Sequence, residues 1–538
     1  MEVVFRGATV VDGTGVPRRR AHVGVAGGRI AAVVPADAGP PPSSARTVDA
    51  EGLVLAPGFI DMHAHSELAL LTEPAHMAKV SQGVTCEVLG QDGLSYAPVD
   101  DVTLPQLRQQ IAGWHGDPAS FDYSWRSVGE YLDRLDRGIA VNACYLVPQG
   151  NVRALVLGWS DRPPTAVELD RMRDLLGEGL DQGAVGMSSG LTYPPGMYAG
   201  TDELVELCRV VARRAGFYAP HHRSYGAGAL AAYAEMVEVS RRSGCPVHLT
   251  HATLNFPVNA GKAPELLALI DAALADGVNV SLDTYPYLAA CTTLAALLPS
   301  WVAKGGPAAT LERLRDPATR ERVRVDLEER GSDGNHGVPV DWRAVQVSGT
   351  RDPALADRVG ATMADLAAAT GQPPAQLCFD LLLADRLGTT VLLHEGNEEN
   401  VRTIMRHRRH LVGSDGILVG DRPHPRAWGT FPRYLGHYVR ELGLLTLEDC
   451  VARMTGRAAR RLRLAERGLI RVGYLADIVV FDPETVADMS TVDDPRRQCA
   501  GISQVYLNGV PVIQDGRHTG ALPGRALRRT QAGTVQAR

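Results

Sequence analysis

Short apolar runs recur through the middle of the chain, each ending in polar side chains. Eight of them read as strands: GFIDMHAH (58–65), TCEVLG (85–90), AVNACYLV (140–147), AVGMSSGL (184–191), GFYAPHH (216–222), PVHLTHA (246–252), NVSLDTYPY (279–287) and HLVGSDG (410–416). Stretches with helical spacing lie between them, and such alternation predicts a parallel sheet with helical crossovers. Eight units make a (β/α)8 TIM barrel, a fold whose chemistry sits at the C-terminal ends of its strands. Residues 288–409 separate the last two runs, more than one crossover requires. The pattern therefore predicts a helical insertion over about 293–405, capping the barrel mouth.

The chain ends read differently. VVFRGATVV, HVGVAG, RIAAVV and LVLAP, all within the first 57 residues, are β-type runs separated by turns. ADIVVFDP (476–483) and ISQVYLNGVPVI (502–513) repeat that character, with Asn508-Gly509 as a hairpin signal between apolar runs. These ends predict one small β-sandwich assembled from residues 1–56 and 466–538, flanking a barrel domain of 57–465.

Composition agrees with this plan. A chain of 538 residues is too long for one ordinary core. With 45% apolar and 22% charged residues it falls among soluble globular proteins. A net charge of -6 gives no reason to expect nucleic acid or an anionic membrane as partner. The eight cysteines are scattered without CxxC spacing, as in reduced cytosolic proteins. The N-terminus carries no signal pattern, and no apolar run reaches the roughly 18 residues of a membrane span. The expected location is the cytoplasm.

The barrel reading gathers polar residues at one rim. His63 and His65 are two apart on the first strand, so both imidazoles face the same side. Imidazole is a favoured ligand for zinc and its neighbours, although an isolated HxH is ordinary on a strand surface. His221 and His251 close the fifth and sixth strands, where either alone is more often a hydrogen-bonded core histidine. Asp415 follows the eighth strand in GSDG, a turn aspartate or a catalytic carboxylate. Together these residues describe a metal site. A zinc ion lowers the pKa of its water to about 7, and a neighbouring carboxylate can carry the proton to a leaving nitrogen. Asp92, bracketed by glycines in GQDG after the second strand, has the same two readings, a tight turn or a rim carboxylate.

GFIDMHAH, SSGLTYPPGMYA, YAPHHR, HLTHA, DTYPYLA, GSDG, HPRAWGTFPRYLGHYVRE and GYLADIVVFDP together resemble the N-acyl-D-amino-acid deacylase (D-aminoacylase) branch of the metal-dependent amidohydrolase superfamily, over about residues 3–530. The resemblance implies a β-sandwich plus TIM barrel. It also implies a zinc-dependent hydrolase of amide-type bonds, with one or two zinc ions or Mn2+ or Co2+ in their place. His63 and His65 would bind the more exposed ion, His221 and His251 the buried one, and Asp415 would be the acid and base near the exposed ion. Arg223 would lie near the pocket, and His222 would point out of a regular strand. The family's GNCG turn, aligned without a gap, is GQDG here, so Asp92 takes the place of a metal-bridging cysteine. Cys86 and Glu87 sit too early on the strand for that role. Of the three lysines, Lys79 lies in a predicted helix, Lys262 beyond its strand and Lys304 in the insertion. None is placed for a carbamylated-lysine bridge. A carboxylate bridge is harder than a thiolate one and should tolerate Mn or Co better.

Other departures concern the substrate. Thr253 stands where family members commonly carry a lysine, Cys291 where they carry a serine, and Pro148-Gln149-Gly150 where they carry GHG. Arg223, Tyr285 and Arg426 remain to hold an anionic group. The expected reaction is hydrolysis of an N-acyl-amino acid, N-acyl-D-amino acids foremost. A cyclic-amide or carbamoyl hydrolase of the dihydroorotase/hydantoinase type and a non-catalytic barrel stand as alternatives. The expected partner is the small-molecule substrate, and a homo-oligomer is compatible with the chain.

Overall fold

The computed structural model describes residues 1–538. Eight strands form one parallel sheet in chain order: Phe59–Asp61, Val84–Leu89, Asn142–Pro148, Gly186–Gly190, Phe217–His221, Val247–Leu249, Val280–Thr284 and His410–Val412. Six lie within the runs read from the sequence, and the second and third overrun theirs by one residue, Val84 and Pro148. The sheet closes between its first and last strands. Met62 N donates to Val412 O at 3.1 Å, and Ala64–His65 pairs in parallel with Gly416–Ile417.

Side-chain alternation sets what each face holds. Ile60, Met62, Cys86, Val88, Cys144, Leu146, Ala219 and Leu411 share one buried cluster, closed at one end by Ala458, Ala459 and Leu462. This cluster fills the lower barrel, and it contains Cys86. Glu87, of opposite parity, faces the other way, where its carboxylate meets His76 at 2.8 Å and Lys79 at 3.2 Å. Lys79 lies on the helix Met77–Val80, fully buried, and also pairs with Asp61 at 2.6 Å. Burying a cation is tolerable only with such partners. The crossover helices carry ordinary start signals. Ala166–Asp181 begins at Thr165, whose hydroxyl accepts from the Glu168 N–H while the Glu168 carboxylate accepts from the Thr165 N–H.

Both chain ends join one nine-stranded sheet. Val54–Pro57 pairs in parallel with the N-terminal strand and antiparallel with Ile478–Phe481, which fastens the two termini together. Phe5 and Tyr506 lie three strands apart in the sheet order, yet their rings meet edge to face at 5.1 Å. At a strand spacing of about 4.8 Å a flat sheet would hold them far apart, so this sheet curls around its own core. The Asn508-Gly509 hairpin is present, with φ of 52° and 79°, as a two-residue primed turn requires.

The inserted segment holds several helices and, in addition, a three-stranded antiparallel sheet of Ala290–Thr293, Val345–Gly349 and Thr390–Leu393. It has its own core of 24 buried residues. The helix Glu398–Met405 does not belong to it. Val401, Ile404 and Met405 pack into the main barrel cluster, and Asn400 Nδ2 donates to Leu254 O at 3.0 Å. That helix is the seventh crossover, and the insertion precedes it.

Candidate active site

The sequence positions named for metal chemistry converge at the C-terminal rim of the barrel. His63 follows a bend after Met62, which breaks the strand's alternation and returns the imidazole to the interior above the apolar floor. Nε2 atoms of His63 and His65 are 3.3 Å apart, and His65 Nε2 lies 3.2 Å from Asp415 Oδ1. Across the rim, His221 Nδ1 and His251 Nε2 are 3.2 Å apart. Asp92 stands between the two pairs. Its Oδ1 is 3.6 Å from His63 and 3.4 Å from His251, and its Oδ2 is 3.6 Å from His65 and 3.5 Å from His221.

The backbone around these groups is specialised. Asp92, His251 and Asp415 have φ of 54°, 31° and 50°, a left-handed conformation that is uncommon outside glycine. Such residues cost about 1–3 kcal/mol each and persist where the surroundings impose them. For Asp92 the surroundings are visible. A Cβ on Gly90 would lie 2.2 Å from Leu146 O, and one on Gly93 would lie 2.3 Å from Gly190 N. Ser188 Oγ accepts from the Gly93 N–H at 3.1 Å and donates to Gly90 O. Glu67 accepts from the Gly90 N–H at 2.8 Å and from Ser95 Oγ at 3.0 Å. The turn is therefore clamped with its aspartate aimed inward. Asp283 does similar work for His251, accepting its N–H at 2.7 Å. Thr192 Oγ1 lies 2.6 Å from His221 Nε2 and fixes which nitrogen faces the centre.

These donor atoms suit a metal ion. Ligands at the usual 2.0–2.1 Å from a tetrahedral zinc stand about 3.3–3.4 Å apart. The two groups, His63–His65–Asp92–Asp415 and Asp92–His221–His251, share Asp92 and show spacings close to that value. Electrostatics point the same way. Burial would push Asp92 up, but His63, His221 and His251 hold its carboxyl well below the usual range. Burial holds His63 down at about 4. Burial opposes protonation of His65 too, yet Asp415 and Asp92 lift it to about 10. Two buried carboxylates among four imidazoles need a cation, and a divalent ion meets that need as protonation does.

The substrate candidates divide. Thr253, Tyr285 and Cys291 line the cavity beside the donors. Burial keeps the Cys291 thiol protonated, at about 11. Arg426 lies fully buried just behind, its Nη2 2.9 Å from Asp415 Oδ2 and its guanidinium 4.4 Å over the Tyr285 ring. Arg223 is occupied elsewhere. Nε donates to Glu235 at 2.8 Å and the other nitrogens to Glu235, Met197 O and Ala199 O, outside the cavity lining. His222 is buried between the rings of Tyr225 and Tyr233. Sequence reasoning missed Trp114, Tyr193, Tyr225, Phe256, His336 and Glu395, which also line the cavity, and the bracing residues Glu67, Ser188, Thr192 and Asp283. Glu67 had a local signal only in standing two positions past His65. The rest reach the site through tertiary contacts.

Comparison with known proteins places this architecture. The amidohydrolase family model matches residues 46–513. D-aminoacylase of Alcaligenes xylosoxydans xylosoxydans is 37% identical over 99% of this chain and 98% of its own. N-acyl-D-glutamate deacylase of the same organism is 37% identical over 98% of this chain and 97% of its own. The solved structure of N-acyl-D-glutamate deacylase from Bordetella bronchiseptica, complexed with zinc and a phosphonate mimic of the tetrahedral intermediate, superposes with a TM-score of 0.82. It is 35% identical and covers 98% of this chain and 99% of its own. The chain belongs to the amidohydrolase family, on the branch of the N-acyl-D-amino-acid deacylases.

Proposed function

We propose that this protein is a zinc-dependent hydrolase of N-acyl-amino acids, N-acyl-D-amino acids foremost. The observation that carries the reading is the pair of donor groups joined through Asp92 at near-tetrahedral spacing. His63 and His65 would hold the more exposed ion, His221 and His251 the buried one, and Asp92 would bridge them. Mn2+ or Co2+ should serve as well, because a carboxylate bridge is a hard ligand. A bound ion supplies a Lewis acid that polarises the amide carbonyl and acidifies water. Asp415 takes the proton of the attacking water and delivers it to the departing nitrogen. Arg426 and Tyr285 receive the substrate's carboxylate in place of the lysine that Thr253 replaces. The eight free thiols support a cytoplasmic setting. No helix is long and apolar enough to cross a membrane.

A turnover screen of zinc-loaded protein tests the reading. It compares N-acetyl-D-amino acids, their L counterparts, N-carbamoyl amino acids and cyclic imides. Hydrolysis of the linear N-acyl compounds, D over L, is expected. Activity confined to the cyclic compounds would overturn the substrate assignment, and no activity on any amide would overturn the enzyme.

A further inference from the structure

A cleft of about 800 Å³ opens at the opposite end of the barrel from the catalytic cavity. Gly216, Pro246, Asn279 and Arg409 line it, each immediately before a barrel strand. The segment Arg457–Arg463 and the C-terminal hairpin at Arg529 supply its other walls. It shares no lining residue with the catalytic cavity.

Its lining contains seven arginines and no aspartate or glutamate. Arg457 is paired with Asp449 at 2.6 Å, and Arg408 reaches Asp271 at 3.8 Å. The remaining Arg409, Arg460, Arg461, Arg463 and Arg529 form no ion pair. The chain as a whole carries a net charge of -6, so this concentration is local.

Two of these side chains are built into the wall. Arg461 donates to Asn279 Oδ1 at 3.1 Å and to the Val247 carbonyl, and its buried Nε has no partner. Arg529 donates to Leu180 O at 2.7 Å and Ala184 O at 3.3 Å. Carbonyl partners fix a guanidinium without cancelling its charge. Burial pushes Arg461 down to about 10, and the nearby Arg409 cation adds to the effect. Crowded like charges weaken a fold unless something answers them. Guanidinium forks match phosphate oxygens in bidentate geometry. The cleft also falls within the usual small-ligand range of about 300–1,000 Å³.

We propose that this basal cleft binds a small oligophosphate, free or carried by a nucleotide, at a site separate from the catalytic rim. Arg461 and Arg529 form its fixed wall, and the exposed Arg409 and Arg460 close on the anion from the solvent side.

Titration calorimetry of the full-length zinc-loaded protein tests this, with tripolyphosphate and with ATP as probes. The control is the double variant Arg409→Glu/Arg460→Glu, since neither side chain makes a hydrogen bond within the fold or touches the catalytic cavity. Saturable binding that weakens with salt is expected, at least about tenfold weaker in the variant, whose amide hydrolysis is unchanged. Tighter binding of ATP would identify a nucleotide ligand, and equal binding an oligophosphate alone; both support the site. A signal that persists in the variant would come from zinc chelation or another surface and would overturn it. So would the lack of binding by either probe below about 1 mM. A change of oligomeric state in the variant without oligophosphate binding to the parent would make the cleft a protein interface, which also overturns the proposal.

Discussion

Arg426 Nη2 donates to Asp415 Oδ2 at 2.9 Å from a fully buried guanidinium, while Arg426 Nε and Nη1 have no partner at all. One side chain thus contacts the proposed proton carrier, and its two unpartnered donors are the ones proposed to meet a substrate anion. Unpaired buried donors are costly unless a ligand completes them. Arg426→Lys retains the charge but loses the fork. Its KM for an N-acyl-amino acid should rise about tenfold or more, with kcat falling as well because Asp415 loses its anchor. Steady-state kinetics on folded, zinc-loaded variant would check this, and an unchanged KM would remove Arg426 from substrate binding.

Asp92 is the only group within 4 Å of all four imidazole nitrogens. Asp92→Ala should lower the metal content of the protein and cut turnover by two orders of magnitude or about that. Asp92→Cys should restore metal binding while shifting preference from Mn2+ towards softer ions. Elemental analysis after dialysis against each metal reads both effects. Equal stoichiometry and rate in parent and Asp92→Ala would leave Asp92 as a turn residue only.

Glu395 lines the catalytic cavity from the insertion, and burial lifts its carboxyl to about 8, with Asp341 adding to the rise. Below that pH the group is neutral and does not oppose an anionic substrate. Above it, the new negative charge does. KM for an N-acyl-amino acid should therefore increase as pH passes about 8, and Glu395→Gln should flatten that limb while leaving the value near neutrality unchanged. A pH-independent KM in the parent would contradict this role.

Much of the frame is readable along the chain because each barrel strand is a short apolar run ended by a polar residue. The turn chemistry of Asn508-Gly509 was equally local. The insertion was harder. Ala290–Thr293, Val345–Gly349 and Thr390–Leu393 are brief strands far apart in sequence, and their pairing is set only by tertiary assembly. Helix Glu398–Met405 resembles the helices before it in pattern, and only its packing shows that it belongs to the barrel. At the site, His63 and His65 stand out by spacing and His221 and His251 by position. Arg223 shows the limit of adjacency. It follows His221 by two residues, yet Glu235, on the helix Ala229–Ser243, takes its guanidinium. Thr192 and Asp283 could not be singled out, since their value lies in one hydrogen bond each to a histidine brought near by the fold.

Hydrolysis is proposed to depend on an ion held by His63, His65, Asp92, His221 and His251 with Asp415 beside it. The most direct measurement is stepwise zinc titration of chelator-stripped protein, following bound metal and hydrolysis of an N-acetyl-D-amino acid in the same samples, beside Asp415→Asn. The stripped parent should be inactive and regain turnover as zinc binds, while Asp415→Asn binds zinc and stays at least about a hundredfold slower. Turnover that survives stripping, or a fully active Asp415→Asn, would contradict the account.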